Sequence, residues 1–147
     1  MCGRRRPDAR ADRRALLHSE LARARLTLAG RVLSTSCQPV ARALLDFWQA
    51  DDAGAYDNAG YRLRGHLFTD ASGRYTLETI VPGLYPGRTR HIHVKAQAPN
   101  RPVLTTQLYF PGESRNASDG IYNSALLMAM QDVAGGRQGT FDFVLSI

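Results

Sequence analysis

His91-Ile92-His93-Val94-Lys95-Ala96-Gln97 reads as a β-strand, and its first three residues give that strand a chemical purpose. Successive side chains on a strand alternate faces, so the two imidazoles point the same way while Ile92 packs into the layer behind them. A short distance upstream stands Val81-Pro82-Gly83-Leu84-Tyr85, and further back Trp48-Gln49-Ala50-Asp51-Asp52-Ala53-Gly54-Ala55-Tyr56. Each brings a tyrosine toward the histidine pair.

Working outward, the chain is mostly strand. Leu26 to Leu33 alternates and gives way to a polar turn, Ser34-Thr35-Ser36-Cys37-Gln38-Pro39, before a second strand from Ala43 to Trp48. Asp51 to Arg64 is rich in Gly, Asp and Asn and reads as a long loop carrying Tyr56 and Tyr61, the kind of irregular segment that marks function. Gly65 to Thr69 and Arg74 to Ile80 flank Asp70-Ala71-Ser72-Gly73, which reads as a hairpin connection with Gly73 at positive φ. Val103 to Phe110 and Thr140 to Ile147 complete the strands, with one or two helical turns expected at Ser124 to Met130. Short strands separated by turns, without alternating helices, predict a mostly β fold: an antiparallel β-sandwich with long functional loops and little helix.

The chain has 147 residues, enough for one domain with its own core, and no apolar run approaches the ~20 residues that cross a bilayer. A membrane protein is not expected. Its formal charge of +6 is concentrated at one end: Met1 to Arg31 carries nine arginines against Asp8, Asp12 and Glu20, and the remainder is balanced. Residues 1–25 therefore read as an Arg-rich tail, disordered or with a short helix around Arg14 to Arg25, and 26–147 as the folded domain. Without interleaved aromatics the tail is read as a solvated leader, and no nucleic-acid partner is expected. Asp12-Arg13-Arg14-Ala15-Leu16-Leu17 has the look of a twin-arginine signal, but His18, Glu20, Arg23 and Arg25 interrupt its apolar stretch. As encoded it should not export, which is read either as a cytoplasmic form or as a truncated leader of the kind that exported relatives carry. Two cysteines, Cys2 and Cys37, imply no disulfide framework, and Cys37 reads as a small turn residue.

Five stretches in order carry a resemblance: Trp48…Gly54-Ala55-Tyr56, Thr69-Asp70-Ala71-Ser72-Gly73-Arg74-Tyr75, Val81-Pro82-Gly83-Leu84-Tyr85, Arg88-Thr89-Arg90-His91-Ile92-His93 and Leu104-Thr105-Thr106-Gln107-Leu108-Tyr109-Phe110. Together they resemble the intradiol ring-cleavage dioxygenases, the family of catechol, protocatechuate and hydroxyquinol dioxygenases, over residues from about 26 to 147. The resemblance implies a non-haem Fe(III) held by Tyr56, Tyr85, His91 and His93, with Arg88 and Gln107 lining the substrate pocket. It also implies cleavage of a catechol-type ring between its hydroxyl-bearing carbons with O2, giving a muconate-type dicarboxylate, Tyr85 being the ligand that departs. Whether the chain forms a homo-oligomer is left open.

Physical chemistry supports that set. A buried trivalent cation must be neutralised locally, which two phenolates and a hydroxide accomplish while neutral imidazoles complete the shell. Phenolate is a hard anion that favours ferric over ferrous iron, and a phenol of pKa near ~10 loses its proton beside such a charge.

Each residue also has a plainer reading. Tyr61, Tyr75, Tyr109 and Tyr122 are assigned to core or edge packing, Trp48 to the core, and His18 and His66 to the surface. Arg90 lies on the opposite strand face from the histidines and reads as structural. The main rival is a non-catalytic transthyretin-like or carboxypeptidase-regulatory-like sandwich, which leaves Tyr56, Arg88, the His pair and Gln107 unexplained. A third reading uses the histidines with Asp51 or Asp52 to hold zinc or ferrous iron.

Overall fold

The computed structural model describes residues 25–57 and 63–147. Of the Arg-rich tail only Arg25 lies within them, as the first residue of a strand, while residues 1–24, with His18, and Tyr61 lie outside. Among the described residues nine strands form two sheets: β1 (Arg25–Ser34), β2 (Leu44–Trp48), β3 (Arg64–Phe68), β4 (Arg74–Ile80), β5 (His91–Gln97), β6 (Leu104–Tyr109), β7 (Ala129–Val133), β8 (Gly136–Thr140) and β9 (Phe143–Leu145). One sheet runs β4-β1-β8-β7 with β9 also on β1, and the other runs β3-β2-β5-β6. This is the expected mostly β, two-layer sandwich. Helix among the described residues is limited to 3-10 turns at Ser114–Ala117 and Ser124–Leu126.

The β3-β2-β5-β6 sheet is antiparallel throughout and shows the alternation anticipated from sequence. Leu45, Phe47, Ile92, Val94, Ala96 and Leu108 face the other layer and are buried. There they join Leu26, Leu28 and Val32 of β1 and Phe143 and Leu145 of β9 in one apolar cluster. Burying a side chain of this size contributes roughly 1.5–3 kcal/mol, so the inward set accounts for most of the drive to close the layers. The opposite face of the same sheet turns outward, and its register lays Trp48, His93 and Gln107 in one row across β2, β5 and β6. His91 lies next to it, paired with Tyr109.

Three local expectations are revised. The Asp70–Gly73 turn forms as anticipated, with Gly73 at φ 72° and the Asp70 carboxylate accepting the Ser72 and Arg74 amides. It is not a hairpin connection, however. β3 pairs with β2 and β4 pairs with β1, so the turn passes the chain from one layer to the other. Next, the region expected as one strand from Thr140 to Ile147 is divided between β8 and β9, both parallel to β1. β7 and β8 escaped the sequence reading because their segments, Ala129-Met130-Gln131-Asp132-Val133 and Gly136-Arg137-Gln138-Gly139-Thr140, carry no apolar alternation. Their conformation follows from pairing with each other and with β1. Lastly, Cys37 does occupy the turn after β1, at φ 61°, but it is disulfide-bonded.

Between β8 and β9 the ladder with β1 is interrupted in unbroken register. Asp142 covers the gap by accepting the Arg31 amide (2.9 Å) and pairing with its guanidinium (3.3 Å). The Phe141 carbonyl turns inward, where it accepts the buried Tyr75 hydroxyl at 2.6 Å. That carbonyl comes so close to Gly30 that a Cβ there would stand 1.8 Å from its oxygen. Gly30→Ala should therefore destabilise the protein by about 1–3 kcal/mol or more, since backbone and not a movable side chain blocks the added methyl. Chemical denaturation of the two proteins measures this, and equal midpoints would contradict the packing described.

Candidate metal centre

Three of the anticipated donors converge on the outward face of β5. Tyr56 Oη lies 2.9 Å from His91 Nε2 and 3.1 Å from His93 Nε2, and the two nitrogens are 3.2 Å apart. Strand alternation supplies the pair: Ile92, between them, is fully buried in the layer behind.

Each ring is oriented by a different neighbour. His91 Nδ1–H donates to the Thr89 carbonyl at 2.6 Å, which leaves the Nε2 lone pair facing the other two donors. His93 is held by its cross-strand neighbours. The Trp48 indole stacks on it with centroids 4.8 Å apart and planes within 2°, and Gln107 Nε2 stands 3.4 Å from Nδ1. Trp48, expected in the core, is thus on the outer face, because the register of β2 places it opposite His93. Lys95, from the next outward position on β5, lies 5.8 Å above the same indole.

Tyr56 reaches the pair on the loop that follows β2. Asp51 Oδ1 accepts the amides of Ala53 and Ala55, and the Ala55 carbonyl accepts the Asp51 amide, closing a tight turn. The loop then meets the Pro82–Tyr85 segment backbone to backbone: the Gly83 amide donates to the Asp51 carbonyl at 2.7 Å. A Cβ on Gly83 would stand 2.5 Å from the Gly54 nitrogen and 2.6 Å from the Asp52 oxygen. One on Gly54, at φ 84°, would stand 2.3 Å from the Leu84 oxygen. Only glycine at both positions allows this contact. It brings the Tyr85 ring edge-on to Tyr56, with centroids 5.2 Å apart, yet Tyr85 remains 44% exposed. Tyr85 therefore sits at the mouth, outside the triangle of the other three. The chain turns back after it through Pro86-Gly87, with the Arg88 amide donating to the Tyr85 carbonyl and Gly87 at φ 77°.

Arg88 and Gln107, the two expected pocket residues, are joined directly: Arg88 Nη2 donates to Gln107 Oε1 at 2.6 Å. Tyr109, assigned from sequence to packing, is buried but also polar in role, its hydroxyl 3.0 Å from both Gln107 Oε1 and the Ile121 carbonyl. The sequence reading missed Asp119, whose side chain is 1% exposed and pairs with Arg88 Nε at 2.8 Å. Arg90 is structural as expected, bridging Glu113 and the Pro82 carbonyl and so anchoring the Pro-Gly segment. His66 is exposed on β3 beside Phe68, away from the donors.

Electrostatics favour the ligating forms of the imidazoles. Burial lowers the pKa of His91, with the Arg88 charge adding to the effect against the Thr89 carbonyl and Asp119. Burial, followed by the charges of His91, Arg88 and Arg64, lowers His93 to about 4. Both rings are therefore neutral at neutral pH. Burial raises the Tyr56 pKa above 10.0, partly opposed by Arg88 and reinforced by Tyr85, so this phenol keeps its proton until a cation displaces it.

The donor set fits a metal ion. Ligands about 2.1 Å from a common centre and ~90° apart are separated by ~3 Å, which is the spacing of the triangle. Among the described residues no three or more His, Cys, Asp or Glu side chains cluster, and the polar atom that joins the two imidazoles is the Tyr56 phenol. That speaks against the reading with zinc or ferrous iron on Asp51 or Asp52, and one Asp51 oxygen is already engaged by its own loop.

Comparison with known proteins identifies the family. The family model described as Dioxygenase matches residues 8–146. The protocatechuate 3,4-dioxygenase beta chain of Burkholderia cepacia is 35% identical over 67% of this chain and 49% of its own length. The chain spans about half the length of the curated relatives it matches. Among solved structures, the dioxygenase domain of a dioxygenase carbohydrate-binding protein fusion from Streptomyces sp. SirexAA-E superposes with a TM-score of 0.86. It is 61% identical over 90% of this chain and 86% of that one. The 3-chlorocatechol 1,2-dioxygenase of Rhodococcus opacus 1CP superposes with a TM-score of 0.77 at 28% identity, covering 85% of this chain and 61% of that one. The matched fold, the ordered motifs and the convergent phenol and imidazoles together establish that the chain belongs to the intradiol ring-cleavage dioxygenase family.

Proposed function

We propose that this chain holds one ferric ion with Tyr56, Tyr85, His91 and His93 and cleaves a catechol-type ring between its two hydroxyl-bearing carbons. The observation that carries this reading is the triangle of Tyr56 Oη, His91 Nε2 and His93 Nε2, with no edge longer than 3.2 Å. Relatives whose names specify catechol, hydroxyquinol and protocatechuate dioxygenases support the substrate class. A binding-only sandwich gives no reason to bury two neutral imidazoles against a phenol.

When bound, the ferric ion supplies the Lewis acidity that deprotonates the diol and the electron-accepting character that makes the ring reactive toward dioxygen. Tyr85 Oη, the most exposed of the four donors, is the base placed to take a proton from the incoming diol. Tyr56 is fixed by both histidines and stays in place. The Arg88 guanidinium, whose charge reaches Tyr56, His91 and His93, stabilises negative charge that develops on the ring. Gln107, held by Arg88 and Tyr109, fixes the side of the pocket next to His93. Overall, one carbon–carbon bond breaks, both atoms of O2 enter the two new carboxyl groups, and no external reductant is consumed.

Iron-loaded protein should absorb visible light through its tyrosinates. Tyr56→Phe and His93→Ala should lose colour and iron together, whereas Arg88→Ala should keep both and lose turnover of catechol by roughly 10²–10³-fold. A colourless iron-loaded parent, or a fully active Arg88→Ala, would overturn the assignment. The two-loop contact gives a separate expectation: Gly83→Ala should weaken iron retention and bleach the visible band while leaving the far-ultraviolet circular dichroism unchanged. Iron content after dialysis against a chelator checks it, and retention equal to the parent would refute it.

A further inference from the structure

A carboxylate outside the expected site pairs with Arg88. The segment after β6 crosses over the start of β5 and grips it residue by residue. Asp119 Oδ2 accepts both Arg88 Nε–H and the Thr89 amide, each at 2.8 Å, while Oδ1 accepts the Ile121 amide at 3.0 Å. Thr89 Oγ1 donates to Asn116 Oδ1 at 2.5 Å. The Thr89 carbonyl is in turn the acceptor that orients His91.

We infer that Asp119 is a positioning residue of the reaction, setting the plane and direction of the Arg88 guanidinium. The inference rests on the proposed function of the same site. A guanidinium is planar with five N–H groups, so two in-plane bonds on one edge fix its orientation. Here Asp119 takes Nε–H and Gln107 takes Nη2–H, at 2.8 and 2.6 Å. Burial alone raises the Asp119 pKa, but the Thr89, Arg88 and Ile121 hydrogen bonds and the Arg88 charge more than reverse it, so the carboxylate is ionised at neutral pH. Arg88 is 22% exposed in its side chain and Asp119 1%, so the anchor is the rigid, buried partner and the guanidinium the working end. Without the carboxylate, Arg88 would keep only neutral partners, Gln107 and Tyr109, and lose the charged acceptor at Nε that fixes that edge of its plane. Asp119 touches no proposed metal donor, so its loss should spare the metal and slow the chemistry.

The test uses the full chain. In metal-free parent protein, the Arg88 Nε–H, identified by its loss in Arg88→Ala, should give a slowly exchanging 15N NMR signal at neutral pH. Rapid exchange in the parent would overturn the anchor without any variant at Asp119. Asp119→Asn removes the charge and leaves one oxygen acceptor in place of two, so it cannot serve the Arg88 Nε–H, the Thr89 amide and the Ile121 amide together. It should lose the slow Arg88 signal and, once iron-loaded, keep the visible band while kcat for catechol falls on the order of 10–100-fold with KM little changed. Added to Arg88→Ala, the same substitution should cost nothing further, because a residue acting only through Arg88 has nothing left to position. Parent-like kcat in Asp119→Asn, or an equal loss in both backgrounds, would refute the role. A colourless and inactive iron-loaded parent would instead refute the proposed function itself.

Discussion

Three polar atoms, one phenolic and two imidazole, are held within 3.2 Å of one another on a partly desolvated surface, and the rest of the structure exists to keep them there. Two protons serve the three atoms: Tyr56 O–H donates to His91 Nε2, whose ring gives its Nδ1 proton to a backbone carbonyl, and His93 Nε2–H donates to Tyr56 Oη. Taking these groups out of water still costs stability. The protein holds the arrangement by placing the histidines on the middle of a four-stranded sheet whose inner face is fully apolar, so they cannot retreat. The phenol comes from a loop pinned by main-chain contact with a second loop.

Rigid and exposed parts are divided by function. The histidines have support on every side: Ile92 in the core, Trp48 stacked on one ring, Thr89 bonded to the other. Tyr85, at the mouth, has the edge of Tyr56 as its aromatic neighbour among the described residues and stands 44% exposed. A donor that must change its bonding during turnover belongs at such a position, and one that must not belongs on the sheet. The polar chain from Asp119 through Arg88 and Gln107 to His93 follows the same division, with its buried end fixed and its guanidinium partly open to solvent.

How far the sequence discloses this depends on whether a signal is local. β4 and β5 match their expected limits because alternation against one core produces a period of two. β7 and β8 lack that period, since their segments are polar, glycine-containing and only partly buried. Turn chemistry at Asp70–Gly73 was readable, but which sheet each flanking strand joins is decided by distant partners. The same holds at the site. Tyr56, His91, His93, Arg88 and Gln107 stand in recognisable short motifs, whereas Asp119 sits in a polar loop 31 residues beyond its partner Arg88, with nothing nearby to mark it. Trp48 was misassigned because its strand pattern fits a core residue, and only the register with β5 shows that it faces His93.

The parallel pairing of β1 with β8 and β9 shapes how the chain must fold. A ribosome releases β1 long before the strands that sit beside it in that sheet, so one side of β1 waits through more than a hundred residues of synthesis, as the separation of 111 between Arg31 and Asp142 shows. β2, β3, β5 and β6, in contrast, are drawn from one continuous middle stretch and can pair as they emerge. The histidine-bearing sheet is thus the local, early-closing half. The long-range half then pays a loop-closure entropy that slows completion of the native state.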